Sequence, residues 1–153
     1  VQPAKLIVAD IDEKKREAAL AAGAAEAFDP NDKDALANIM KATGGGVAGA
    51  IDFVGAPSTF EFGMSALRKN GTLVVVGLFG GAHKVSIPMF PFMAMSVRGS
   101  YVGNLRDMSD MMKVIQAGSV PPIPIETRPL HECNQALHEL ENGQVSGRII
   151  LKP

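Results

Sequence analysis

Three places in the chain put residue types suited to ligand chemistry just past a predicted strand: Asp10 after Lys5-Leu6-Ile7-Val8-Ala9, Gly55 after Ala50–Val54, and Gly77 after Leu73–Val76. A carboxylate at the carboxyl end of the second strand of a dinucleotide fold accepts hydrogen bonds from the adenosine ribose hydroxyls, and it repels a 2′-phosphate. Asp10 therefore favours NAD over NADP. A glycine at a strand end lets a ligand approach the backbone closely. Each position also has a plainer reading. Asp10 could be a solvent-facing helix cap, since strand–acid–helix strings are common.

Groups for proton or metal chemistry are sparse. His83 reads as a loop residue, and His131 and His138 fall on one helix without a third ligand at metal spacing. The single Cys133 excludes an internal disulfide and reads as a small core residue in a reducing, cytoplasmic setting. No catalytic residue and no metal site is expected within this chain. Gly44-Gly45-Gly46 precedes a strand, whereas a phosphate loop follows one and opens a helix, so it reads as a flexible connection.

The elements that would position these residues alternate between strand and helix, which implies a parallel α/β sheet. Asp12 is a suitable N-cap for a helix that stops at Gly23. Glu26-Ala27-Phe28 reads as a strand, and Asp32 as the cap of a helix from Lys33 to Thr43. The central unit runs from Gly49 to Gly81. Its first strand is apolar save for one acid, Asp52. Ser58 or Thr59 would cap the next helix, with Glu61 in its first turn. Arg68 and Lys69 suit the negative end of that helix, and Asn70-Gly71 would end it, with Gly71 at positive φ. A short strand is expected at His83–Ile87, a short apolar helix from Pro88, and an edge strand at Val97–Val102. Leu105, Met108, Met112 and Ile115 recur at helical spacing up to Ala117. Ile123–Arg128 is extended, with prolines that keep it out of a sheet centre. A helix at His131–Glu141 would pack Ala136, Leu137 and Leu140, and Ser146–Leu151 closes the chain as a strand.

The 153 residues amount to about one domain, and with 46% hydrophobic, 20% charged and a net charge of −1 they are an ordinary globular mixture. Near-neutral charge provides no electrostatic reason to expect a nucleic acid or an anionic membrane as partner. No apolar run approaches the roughly 20 residues that span a bilayer.

Spacing adds a further constraint. The Gly-rich fingerprint of a dinucleotide fold lies about 20 residues before the ribose acid. Only nine residues precede Asp10, and the chain opens on Val1-Gln2-Pro3 without a methionine. The expectation is a portion of a longer protein, missing an N-terminal segment.

LIVADIDEKKREAALAAGA, GGGVAGAIDFVGAPSTF, LRKNGTLVVVGLFGG and the ending GQVSGRIILKP, in that order, resemble the medium-chain dehydrogenase/reductase family. The similarity covers essentially the whole chain and looks most like the zinc-dependent, NAD-linked alcohol dehydrogenases. It implies a Rossmann-type doubly wound sheet lacking its first strand. Residues 1–103 would be the partial NAD-binding domain, and residues 104–153 would return to an absent catalytic domain.

The resemblance also implies roles. Asp10 would hold the adenosine ribose, Lys15 would reach the same sugar, and Ile11 would lie against adenine. Phe53, Val54 and Gly55 would line the cofactor at one strand end, and Val76, Gly77 and Leu78 at the next. Ser100, Tyr101 and Val102 would present backbone groups to the nicotinamide carboxamide. Arg148 would meet the pyrophosphate, which a guanidinium matches by a two-pronged fork. Lys15 could instead be a solvated helix charge, Val54 and Val76 core residues, and Arg148 the partner of a glutamate.

Zinc is implied for the intact enzyme, on ligands from the absent N-terminal domain. The substrate would be an alcohol or carbonyl compound, and the Val97–Val102 edge would join copies into a homodimer or homotetramer. Alternatives are a zinc-independent NADPH quinone oxidoreductase of the same family, against which Asp10 argues, and a more distant methyltransferase, which the Ser146-Gly147-Arg148 tail disfavours. A non-catalytic nucleotide-binding module is the reading of a different class.

Without its first, central strand, the strand at Leu6 and the strand at Ile51 would have no shared neighbour.

Overall fold

The carboxylate of Asp12 accepts the backbone N–H of Lys14 at 2.9 Å and so caps the first helix, as its residue type dictates. In the computed structural model, which describes residues 4–118, 120 and 122–153, strand β1 (Ile7–Ala9) leads into this helix, α1 (Glu13–Ala21). Gly23 follows it at φ +107, where a glycine is at ease. Strand β2 (Glu26–Phe28) pairs with β1 in parallel.

Helix α2 (Ala35–Thr43) begins two residues later than expected, with Asp34 at its N-cap. Asp32 instead accepts the N–H of Asp34 at 2.9 Å and forms a turn ahead of the helix. The glycines after α2 are no loose connection. All three have positive φ, the Thr43 hydroxyl accepts the Gly46 N–H at 2.9 Å, and a Cβ on Gly46 would lie 2.7 Å from the Arg68 nitrogen.

Strands β3 (Val47–Asp52), β4 (Leu67–Val75) and β5 (Ser96–Gly99) form a three-stranded parallel sheet with β4 in the centre. Helix α3 (Pro57–Ala66) links β3 to β4. It starts with Ala56 as N-cap and Pro57 in the first turn, a position where a proline loses no hydrogen bond. Thr59 lies inside the helix, where its hydroxyl accepts the Ala56 N–H at 3.1 Å, and the first turn holds no acid.

The helix ends at Ala66, four residues before Asn70-Gly71. Leu67 is already in the sheet opposite Val47, and Thr72 pairs with Gly49. Arg68 to Gly71 bulge out between these two pairings, and Asn70, not Gly71, takes the positive φ, at 60°. Burial of Leu67 decides the matter: its side chain joins Leu73 and Met95 in the core, and removing such a side chain from water contributes roughly 2 kcal/mol.

Phe60 and Met64 of α3 pack on that core, with Phe90 of α4 (Met89–Met93) on it as well. Gly63 lets α3 lie close, since a Cβ there would come within 2.9 Å of a Leu73 methyl. No strand forms at 83–87, and Val97–Val102 is shorter than expected, because β5 stops at Gly99. The β1–β2 pair and the β3–β4–β5 sheet share no ladder.

Residues 104–153 form a second compact unit. Asn104 caps α5 (Leu105–Gln116) by accepting the N–H groups of Arg106 and Asp107, and Asp107 accepts the Asn104 N–H in return. The apolar positions of α5 are exposed within this chain, Leu105 and Met108 among them. Strands β6 (Ile125–Pro129) and β7 (Arg148–Lys152) pair in parallel.

A single 3-10 turn at Leu130–Glu132 precedes α6 (Cys133–Glu141), so His131 is not on the α-helix. Ala136 is buried, but Leu137 and Leu140 are exposed, because a two-stranded sheet is too small to cover both. Among the described residues no helix is long and apolar enough to cross a membrane.

Candidate functional site

The ends of β3 and β4 are joined to one another. Val76 and Gly77 donate their N–H groups to the Asp52 carbonyl at 2.8 and 3.0 Å. Phe79 donates to the Val54 carbonyl at 3.0 Å, and Gly80 to Gly55 at 3.1 Å. Backbone meets backbone here: a Cβ on Gly77 would lie 2.0 Å from the Val54 carbonyl carbon, and one on Gly55 would lie 2.1 Å from the Gly77 oxygen. The glycines are thus required by the approach of one strand tip to the other, which is a different need from the ligand approach read from sequence. Gly55 also turns the chain at φ +73.

The Asp52 carboxylate sits under this junction, at 6% exposure. Its Oδ1 accepts the N–H groups of Val54 and Gly55, each at 2.9 Å, and its Oδ2 accepts the Thr59 hydroxyl at 3.0 Å. In the sequence Asp52 is the lone acid of an apolar strand and carries no assigned role; the signal is its residue type, since an acid in an apolar run must find donors.

Around the joined tips the side chains face solvent. Phe53, Val54, Leu78 and Phe79 are all exposed, with Leu78 and Phe79 at 81%. Ser100 donates its N–H to the Val75 carbonyl at 2.9 Å, which sets the end of β5 beside that of β4. Tyr101 and Val102 continue beyond the sheet as exposed residues, and Val102 has φ +42, a left-handed conformation a β-branched residue rarely adopts. Six expected residues at 53–55 and 76–78 are thereby brought together, with Ser100 on the neighbouring strand end.

Asp10 stands at the end of β1. Its N–H donates to the Phe28 carbonyl at 3.2 Å, and its Oδ1 accepts the Asp12 N–H at 2.9 Å. It is therefore not the helix cap, which is Asp12. Arg16, missed in the sequence, donates to the Asp10 carbonyl at 2.7 Å and faces Asp29 at 3.6 Å. Ile11 and Lys15 are exposed on the same turn and helix. Arg148 opens β7 in the second unit, where it is exposed and donates to the Gly147 carbonyl at 2.9 Å.

A cleft of about 160 Å³ lies behind the tips against Asp52, Phe60 and His83. His83 stacks at a tilt on Phe60, with ring centroids 5.5 Å apart. The cleft is too small for a dinucleotide, for which the open surface of the strand ends is the candidate site. Among the described residues no three His, Cys, Asp or Glu side chains gather around a point that could hold a metal.

Residues 2–117 match the family model described as zinc-binding dehydrogenase. The chain belongs to the zinc-binding dehydrogenase family. It is 36% identical over its whole length to an NAD-dependent alcohol dehydrogenase of Saccharolobus solfataricus, of which it covers 44%. An alcohol dehydrogenase of Geobacillus stearothermophilus is 34% identical over 96% of the chain and is covered to 43%. The crystal structure of the alcohol dehydrogenase from Aeropyrum pernix superposes with a TM-score of 0.88 at 32% identity, over 99% of this chain and 43% of that one.

The chain thus spans less than half the length of these relatives. Like other zinc-binding dehydrogenases, it has the parallel α/β architecture of a Rossmann-type cofactor domain.

Proposed function

We propose that this chain is the NAD-binding part of an alcohol dehydrogenase whose catalytic groups and zinc lie outside residues 1–153. The observation that carries the reading is the joined pair of tips at Gly55 and Gly77, open to solvent beside Phe53, Val54 and Leu78. The relatives named as NAD-dependent alcohol dehydrogenases support the choice of cofactor and reaction.

When bound, NAD takes up the hydride that leaves the alcohol carbon. The residues of this chain bind and orient it. Asp10 receives ribose hydroxyls through Oδ2, its Oδ1 being held by Asp12, with Lys15 on the same sugar and Ile11 against adenine. Residues 53–55 and 76–78 line the path toward nicotinamide, where Ser100, Tyr101 and Val102 offer backbone groups. Arg148 neutralises pyrophosphate charge.

Among the described residues no donor set fits zinc; in this reading the metal is held by the segment that supplies the substrate pocket. The substrate is an alcohol or carbonyl compound, the setting is cytoplasmic, and β5 is the edge along which copies pair as a homodimer or homotetramer. Residues 104–153 serve the catalytic-domain side.

The test is alcohol-dependent NAD reduction, followed by absorbance. The protein carrying this chain at its full length should reduce NAD with an alcohol, and residues 1–153 alone should not. Alcohol oxidation by residues 1–153 alone, or quinone reduction with NADPH by the full-length protein, contradicts the reading.

A further inference from the structure

We infer that Asp52 is the positioning residue of the cofactor platform, its carboxylate setting the tip of β3 while its own carbonyl holds the tip of β4. The inference rests on the NAD-binding reading above. Five donors converge on this one residue. The N–H groups of Val54 and Gly55 and the Thr59 hydroxyl reach the carboxylate, and the N–H groups of Val76 and Gly77 reach the carbonyl. These are the residues on both sides of the glycine junction that would line the dinucleotide.

Asp52 is the one buried charged or polar side chain among the described residues. Burying a carboxylate is unfavourable unless donors surround it. An apolar side chain would fill the same inward position of β3, but it would leave the N–H groups of Val54 and Gly55 without their acceptor. Gly55 then turns the chain onward at φ +73. Thr59 extends the arrangement: its hydroxyl donates to Asp52 Oδ2 at 3.0 Å and accepts the Ala56 N–H at 3.1 Å, which ties the tip to the first turn of α3. The effect of the carboxylate on the cofactor passes through the backbone of Val54 and Gly55, whose N–H groups it holds.

The experiment measures NADH affinity by fluorescence titration of the full-length protein, each variant held below its unfolding transition. Asp52→Ala should bind about tenfold more weakly or worse, since it removes the acceptor of both N–H groups and of the Thr59 hydroxyl. Asp52→Asn should recover affinity to within about threefold of wild type, because an amide Oδ1 keeps both N–H groups and Nδ2 can donate to Thr59. Thr59→Val should weaken binding by about threefold or more, since it removes the donor to Oδ2 and leaves both N–H groups on Oδ1. Leu73→Val, in the core behind the tips, should lower the unfolding temperature and leave affinity unchanged.

Wild-type affinity in Asp52→Ala overturns the inference. So does an equal loss in Leu73→Val, which would reduce Asp52 to a general stabiliser. If Asp52→Ala does not fold, unchanged affinity in Thr59→Val overturns it. Absence of NADH binding by wild type removes the NAD-binding reading, and the role of Asp52 falls with it. Binding by wild type with indifferent variants removes the role of Asp52 alone.

Discussion

Gly55 and Gly77 meet backbone to backbone at the ends of β3 and β4, so closely that a Cβ on Gly55 would lie 2.1 Å from the Gly77 carbonyl oxygen. The atoms that a Cβ would meet at either glycine are main-chain, and no flexible side chain can yield. Gly77→Ala should therefore destabilise the fold by about 2 kcal/mol or more, as overpacking does, and should weaken NADH binding as the tips move apart. Thermal unfolding and NADH titration check both halves of this prediction. A variant of unchanged stability means that the junction is looser than described.

Cofactor choice is predicted to sit at Asp10. Its carboxylate is oriented by the Asp12 N–H, and its carbonyl is held by Arg16. Asp10→Ser should weaken NADH binding by roughly tenfold, the scale of a charge-assisted hydrogen bond, and should lift the bias against NADPH because the repulsion of a 2′-phosphate is gone. Parallel titrations with NADH and NADPH read the ratio. An unchanged ratio takes Asp10 out of the site.

The second unit is predicted to respond to acid through Arg128. Its Nε lies 2.7 Å from Glu126 and its Nη2 2.7 Å from Glu139, joining β6 to α6. Hydrogen bonds from Arg128 hold both carboxyl groups below their usual range. A carboxylate whose folded value is depressed contributes stability above its unfolded value, and that contribution is lost as pH falls through the folded one. Arg128→Met should therefore lower the unfolding temperature of the protein at pH 7, and the deficit should shrink below about pH 4, where the wild type loses the same pairs. A deficit that stays constant down to pH 3 contradicts the assignment.

Association through β5 is a separate expectation. Ser96–Gly99 is the outer strand of its sheet, with one side unpaired among the described residues. Light scattering on the full-length protein should return a multiple of the subunit mass. A monomer contradicts pairing through this edge.

Much of this was legible in the residues. Asp12 and Gly23 mark both ends of α1, and the β-branched run before Gly77 marks the central strand. The family pattern was legible because four separated stretches keep its order. The misreadings share a cause. Arg68, Lys69 and Asn70-Gly71 have the local chemistry of a helix C-terminus, yet Leu67 is drawn into the sheet by tertiary burial, and four residues bulge out to restore register. No local rule contains that.

Likewise, Leu137 and Leu140 keep a helical period that the described residues leave exposed. Asp52 announced itself by type, but its role depends on two strand ends folding over one another, a relation between residues far apart in sequence. Gly55 and Gly77 likewise bring one strand tip against another, a contact that a glycine at a strand end does not foretell by itself.

The central claim is that the strand ends at Asp10, Gly55 and Gly77 serve one adenine dinucleotide. A crystal structure of the full-length protein with NADH bound tests it most directly. The adenosine ribose should lie against the Asp10 carboxylate, with the chain of the cofactor crossing Gly55 and Gly77 toward Ser100. NADH seated elsewhere, or touching the glycine junction without reaching Asp10, contradicts the account.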